Sequence, residues 1–318
     1  MDKLLIICGP TGTGKTRLGI YLAKKFNGEI VSADSRQVYK YMNVGTGKEW
    51  DNQSAESGVF ANDIAVRIHG YDLIEPTESF SVFEFLSFAE KKIKEIRKQG
   101  KLPILVGGTG LYIRAVVDGI ETMNIPKNEE LRGRLQSKNI DDLFENLATL
   151  DTSKAASLNN SDRKNPRRLI RAIEIAIWKI EHETKIKLQS KKPKKIDTLF
   201  FGLKMDTHTM SERIYKKVEE RIDSGFIDEI ENLLQIGVSW KMQSMKAIGY
   251  REAEEFFKSG LSYEEFINKW HDNEMKYIKR QLSWFKKDDR IAWFDSSDPD
   301  CYLKIENEVK KWDNIIVK

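Results

Sequence analysis

Short unbroken apolar runs alternate with amphipathic stretches along this chain. Leu4-Leu5-Ile6-Ile7-Cys8 has no polar interruption, the pattern of a strand covered on both faces. A glycine-rich loop follows. From Thr16 onward, Leu18, Leu22, Ala23 and Phe26 fall on one side of a helix. Glu29-Ile30-Val31-Ser32 predicts the next strand. Strand, tight loop, helix and strand in about thirty residues make a βαβ unit, which requires parallel strands. Ser81-Val82-Phe83-Glu84 is a capping box that predicts a helix to about Gln99. Residues 101–106, 198–203 and 290–294 predict further strands. Two more capping boxes, Thr209-Met210-Ser211-Glu212 and Ser262-Tyr263-Glu264-Glu265, predict helices, the second reaching about Lys286.

Between residues 123 and 195 the strand pattern stops and the chain reads as helical and polar. Asn165-Pro166 is an N-cap followed by proline at the first helical position, with Leu169, Ile173, Ala176 and Ile180 as the apolar stripe beyond it. Lys191-Lys192-Pro193-Lys194-Lys195 closes the segment like a linker. The expected organisation is a core of residues 1–122 and 196–318, with residues 123–195 as a helical insertion.

Gly9-Pro10-Thr11-Gly12-Thr13-Gly14-Lys15-Thr16 fits G-x-x-x-x-G-K-[ST] at every fixed position, between a predicted strand and a predicted helix. Such a loop turns backbone N–H groups onto a diphosphate, and the helix N-terminus adds partial positive charge. Lys15 neutralises the phosphates and the Thr16 hydroxyl is suited to Mg²⁺. The fold class is therefore α/β: a P-loop NTPase-like parallel sheet core with an inserted all-helical domain. The second strand runs out into Asp34-Ser35-Arg36-Gln37 beside that loop. A carboxylate there is either a base or metal ligand, or the cap of a local turn. Val106-Gly107-Gly108-Thr109-Gly110 is a second glycine turn at a strand end. An ATPase usually places a Mg²⁺-holding acid there; this chain has Thr109.

Composition narrows the classes. Of 318 residues, 40% are apolar and 32% charged, a globular balance rather than a disordered one. No apolar run is long enough to span a membrane, and Met1-Asp2-Lys3 leads into a strand rather than a signal sequence. Cys8 and Cys301 make no disulfide framework, and the four histidines are scattered. A cytoplasmic enzyme or binding protein without a built-in cofactor remains, and the absence of a spare apolar seam points to a monomer. The net charge of +4 is mild. Basic residues nevertheless cluster at 163–171, 185–195 and 276–287, the last around Trp284 and Phe285. These are either solvated helix faces or a surface for an anionic partner.

Together these stretches resemble the tRNA isopentenyltransferases (IPP transferases, or tRNA dimethylallyltransferases). The resemblance rests on the Gly9–Thr16 loop, Ser32-Ala33-Asp34-Ser35-Arg36-Gln37-Val38-Tyr39, Val44-Gly45-Thr46, and Val106-Gly107-Gly108-Thr109-Gly110-Leu111-Tyr112. It continues through Asn165-Pro166-Arg167-Arg168-Leu169-Ile170-Arg171-Ala172, Ala247-Ile248-Gly249-Tyr250-Arg251-Glu252 and Lys279-Arg280-Gln281. It implies dimethylallyl diphosphate as donor, Mg²⁺ as cofactor, and as acceptor the N6 amine of the adenosine just 3′ of the anticodon, in tRNAs reading codons that begin with U. It implies that Asp34 takes the amine proton, and that Thr109 bonds the oxygen joining the donor's C1 to its diphosphate. Lys15 and the loop residues Gly9, Pro10, Thr11, Gly12, Thr13 and Gly14 would hold that diphosphate, with Thr16 on the metal. The tRNA anticodon stem-loop would meet Asp34, Ser35, Arg36, Gln37, Thr109, Arg132, Arg167, Arg168, Leu169, Ile170, Arg171, Lys246, Gly249, Tyr250, Arg251, Lys279, Arg280 and Gln281.

Three stretches depart from the family pattern. His69-Gly70-Tyr71-Asp72-Leu73 replaces a two-histidine run, Thr46-Gly47-Lys48-Glu49 replaces Thr-Ala-Lys-Pro, and Glu274-Met275 stands where Thr-Arg is usual. A P-loop kinase for a small molecule, a non-catalytic RNA-binding ATPase and a prenyltransferase for free adenine nucleotides are the competing readings. Asp34-Ser35-Arg36-Gln37 and the missing acid weigh against the first; the second leaves Asp34 idle; the basic insertion and Lys279-Arg280-Gln281 weigh against the third.

Overall fold

The computed structural model describes residues 2–48, 60–61, 64–122, 125–182 and 196–313. The chain divides into two units, Met1–Val117 with Lys195–Lys318, and Asp118–Lys194. The lysine run expected as a linker lies outside the described residues.

The first unit begins with β1 (Lys3–Cys8), α1 (Lys15–Lys25) and β2 (Gly28–Ser32). A two-residue antiparallel pair, β3 (Phe60–Ala61) with β4 (Ile64–Ala65), precedes β5 (Ile68–His69). Then come α2 (Val82–Lys98), β6 (Leu102–Gly107) and α3 (Gly110–Asp118). The main sheet has six strands in the order β5-β2-β6-β1-β7-β8, all parallel, where β7 is Asp197–Lys204 and β8 is Ala292–Asp295. Leu4 through Cys8 are fully buried, as a strand flanked on both faces requires. Each Leu or Ile so buried contributes about 1.5–3 kcal/mol relative to exposure. The register sets Cys8 beside Gly107 and Ser32 beside Val106, so β1, β2 and β6 end together. Parallel strands put their carboxyl ends on one edge, and the loops that leave that edge form the site.

In the second unit, α4 (Glu129–Gln136), α5 (Ile140–Leu150), α6 (Thr152–Ser157), α7 (Asn160–Arg163) and α8 (Pro166–Glu181) follow one another closely. Asn128, Asn139, Asp151, Asn159 and Asn165 cap them in turn, each side chain accepting from a backbone N–H three residues on. Their apolar faces meet through Leu131, Leu143, Leu147, Leu169 and Ile173. Ile180, expected on the stripe of α8, is 60% exposed, because the buried face ends at Ala176.

Back in the first unit, the remaining helices are α9 (Thr207–Asp223), α10 (Phe226–Gln235), α11 (Tyr250–Ser259), α12 (Tyr263–Phe285) and α13 (Cys301–Asp313). At Ser81 the Glu84 half of the box forms, its carboxylate accepting from Ser81 N–H, and the Ser262 capping box forms in full. The one at Thr209 does not. Asp206 caps α9 instead, accepting from His208 and Thr209 N–H, and a carboxylate so placed starts the helix three residues earlier.

Candidate active site

The phosphate loop occupies the turn from β1 to α1. Gly9, Gly12 and Gly14 have φ of 132°, 87° and 85°, conformations that side chains with a Cβ rarely adopt. Pro10 carbonyl accepts from Thr13 Oγ1 (2.9 Å) and from Lys15 Nζ (2.6 Å), so the loop is already curled around the ammonium. Burial pushes Lys15 down to about 8; Asp34 opposes that shift and Lys217 adds to it. A dianion entering the loop would restore the charge. Burial pushes the neighbouring Cys8 thiol up to about 12, which leaves it an inert part of the strand.

Two strand ends stitch together beside the loop. Ala33 N–H donates to Val106 carbonyl (2.7 Å), Thr109 N–H donates to Ala33 carbonyl (3.2 Å), and Ser35 N–H donates to Thr109 Oγ1 (3.1 Å). Asp34 Oδ1 accepts from Arg36 N–H at 2.8 Å, the local turn foreseen for it, and its carboxylate still lines the pocket. The cap and the functional readings of Asp34 are thus compatible. Arg36 donates to Gln243 carbonyl at 3.0 Å.

Two adjoining pockets open from this edge. The first is lined by Thr11, Gly12, Gly14, Lys15 and Thr16 of the loop, by Asp34, and by Arg213, Lys217 and Arg221. Those three cations lie four residues apart on α9, one face of a helix. They were not singled out from the sequence, where the spacing alone looks like a solvated helix. The second pocket is lined by Asp34, Ser35, Arg36, Lys246, Arg251, Tyr277 and Arg280, among others. Thr11, Asp34, Thr46 and Arg221 line both. Thr109 stands at their edge through its bond to Ser35.

Several expected RNA-contacting side chains are engaged elsewhere. Gln281 is buried, accepting from Thr11 N–H (3.1 Å) and donating to Gly108 carbonyl (2.9 Å), so it clamps the two glycine turns together. Gln37 is buried and bonded to Ser32, Thr46 and Gly47. The Tyr250 hydroxyl donates to Glu229 at 2.5 Å from a fully buried ring. Gly249, at φ 91°, gives Trp270 room that a Cβ would fill at 2.5 Å. Leu169 and Ile170 belong to the core of the second unit. These five side chains and one glycine have internal partners or fill a core, so each has a structural role in the chain itself.

Lys246, Arg251, Lys279 and Arg280 are exposed, and Arg280 lies 5.6 Å from the Tyr277 ring centre. In the second unit Arg167 and Arg168 are exposed, Arg168 pairing with Asp162. Arg132 makes a two-pronged bond to Glu174 (2.9 Å each), and Arg171 joins the same carboxylate. Glu174 is 2% exposed, so this cluster neutralises a buried charge.

Among the described residues no group of three or more His, Cys, Asp or Glu is poised to hold a metal ion, and no helix is long and apolar enough to cross a membrane. The donor set at the loop is a hydroxyl, Thr16, in a pocket also lined by Lys15, Arg213 and Lys217. That set suits a cation held chiefly by substrate oxygens and water.

Residues 37–288 match the family described as IPP transferase, and residues 2–57 match isopentenyl transferase. A tRNA dimethylallyltransferase of Anoxybacillus flavithermus is 36% identical over 97% of this chain and 95% of its own. One from Carboxydothermus hydrogenoformans is 38% identical over 93% and 92%. The crystal structure of the full-length tRNA isopentenylpyrophosphate transferase from Bacillus halodurans superimposes with a TM-score of 0.70 at 34% identity, over 98% of this chain and 97% of that one. A eukaryotic dimethylallyltransferase captured acting on tRNA gives a TM-score of 0.80 at 25% identity, over 100% of this chain and 81% of that one. The α/β core with its phosphate loop is the fold of these enzymes.

Proposed function

The chain belongs to the IPP transferase family, and from that premise we propose that it transfers the dimethylallyl group of dimethylallyl diphosphate to tRNA. The acceptor is the N6 amine of the adenosine 3′ to the anticodon, in tRNAs reading codons that begin with U. One observation carries the reading: Asp34 lines both a cationic phosphate pocket and a second pocket rimmed by exposed cations.

The phosphate loop, Lys15, Arg213 and Lys217 hold the diphosphate. Thr109 donates its hydroxyl to the oxygen between C1 and the diphosphate. The N6 nitrogen bonds to C1 as that C–O bond breaks; its electron pair leaves with the diphosphate, and the amine proton passes to Asp34. An aromatic amine is a poor nucleophile, so a base that accepts the proton as the bond forms is useful. Cations and amides aimed at the leaving diphosphate stabilise the charge that develops there. A divalent cation, Mg²⁺ in this reading, would be held by Thr16 and would add positive charge at the same oxygens. The anticodon-loop base must leave its stack to reach Asp34, which accounts for Arg251, Arg280 and Tyr277 at the second pocket. Lys246 and Lys279 add exposed cations to the first unit, and Arg167 and Arg168 supply a separate pair on the second. A single chain carries every group invoked, and a tRNA acceptor fits a cytoplasmic setting.

Incubation of unmodified tRNA with labelled dimethylallyl diphosphate, and separately with labelled ATP, tests the reading. Label from the prenyl donor alone is expected in RNA, at one adenosine. Label from ATP, or prenylation of free adenine nucleotides in preference to tRNA, overturns it.

A further inference from the structure

Glu274 is the one acidic side chain that the departures from the family pattern bring into the lining of the two pockets. It is 6% exposed, sits on α12 and lines the second pocket. Its Oε1 lies 3.6 Å from an Arg221 guanidinium nitrogen and accepts from Trp270 Nε1 at 3.4 Å. Burial raises its carboxyl above the usual range, while Arg221 pulls it back down. Arg221 is the cation that lines both pockets. Three features fix its path across their junction. The guanidinium lies 5.7 Å from the Trp270 ring centre. It passes over Gly47, where a Cβ would meet its nitrogen at 2.7 Å. The Glu274 carboxylate pairs with it.

We propose that Glu274 is a positioning residue that holds Arg221 at the junction of the two pockets, where its guanidinium meets the donor diphosphate on the side nearest the acceptor. The inference rests on the prenyl-transfer reading above. Alone, an arginine between two open pockets would sample several rotamers, and ordering it would weaken each bond it makes to the anion. The carboxylate on α12 removes that cost and keeps the planar fork facing the pocket, a geometry lysine cannot reproduce. An anion arriving in the first pocket therefore finds Arg213, Lys217 and Arg221 already in place on one helix face. The same pairing ties α9, which faces the donor, to α12, which carries Tyr277 and Arg280 toward the acceptor.

The test is a double-mutant cycle on full-length enzyme, with steady-state transfer to tRNA and thermal unfolding followed for every variant. Glu274→Gln and Arg221→Gln are each expected to raise KM for dimethylallyl diphosphate about tenfold, the scale of one charged hydrogen bond. KM for tRNA should change less than about threefold. The double variant should be no worse than Arg221→Gln alone. Glu274→Thr, the residue usual at this position in the family, should behave as Glu274→Gln and serves if the latter folds poorly. Additive losses, an effect confined to KM for tRNA, or no effect on the donor would overturn the inference. A wild-type enzyme that fails to prenylate tRNA would instead overturn the functional reading.

Discussion

Asp34 reaches both pockets because β2 stops one residue before Ala33, where the backbone turns to hydrogen-bond its neighbour strand. Asp34→Ala should leave donor and tRNA binding near normal and lower single-turnover transfer by at least ~10², the lower end for a general base. Near-normal transfer in that variant would remove the base from the mechanism. Lys15 makes a second prediction. Its ammonium titrates at about 8 in the free site, because burial disfavours the charge. Diphosphate binds the charged form. Donor kcat/KM, which reports the free enzyme, should therefore be level below that pH and fall as pH rises through it. Lys15→Ala should lower kcat/KM throughout and erase the inflection. An inflection that persists in that variant belongs to another group.

At the scale of elements, α8 carries Arg167 and Arg168 exposed at its start, beyond the Asn165 cap. If they meet tRNA phosphates, replacing both with alanine should weaken tRNA binding and leave donor binding intact. Each lost contact should reduce the salt slope by about 0.7–0.9. Affinity and slope measured across a salt series decide this, and unchanged values would leave these arginines as a solvated face. The phosphate loop and the Ser81 and Ser262 capping boxes could be read from sequence because their bonds close within a few residues. The α9 cations could not. Whether Arg213, Lys217 and Arg221 face solvent or an anion depends on where α9 docks, and a 3.6-residue spacing does not encode that. The bracing role of Gln281 was hidden for the same reason. Beside Lys279 and Arg280 it reads as one more RNA contact, while in the fold its side chain is buried against Thr11 and Gly108. The start of α9 was misplaced because Asp206 competes with Thr209 for the same turn and a carboxylate caps more strongly.

Across the whole molecule, an all-parallel sheet with the phosphate loop on its edge is shared by enzymes that cleave ATP and by this family. What separates them here is the end of β6, which delivers Gly107, Gly108 and Thr109 rather than a carboxylate. With no acid there to hold a hydrolytic metal, ATP hydrolysis should be negligible with or without tRNA, while diphosphate release should require both the prenyl donor and tRNA. Sustained ATP turnover by purified protein would return the kinase reading to first place.

The bond from Thr11 to Gln281 spans 270 positions along the chain. β1 also pairs on both sides with strands made much later, Leu5 with Ile104 and with Leu199. Contacts this distant must wait for loop closure, which slows folding. During synthesis the anion-binding loop, Gly9–Thr16, is therefore made long before the helix that clamps it, and it stays unbraced until α12 has been added. Fragments ending before α12 would carry the phosphate signature without the geometry that gives it use.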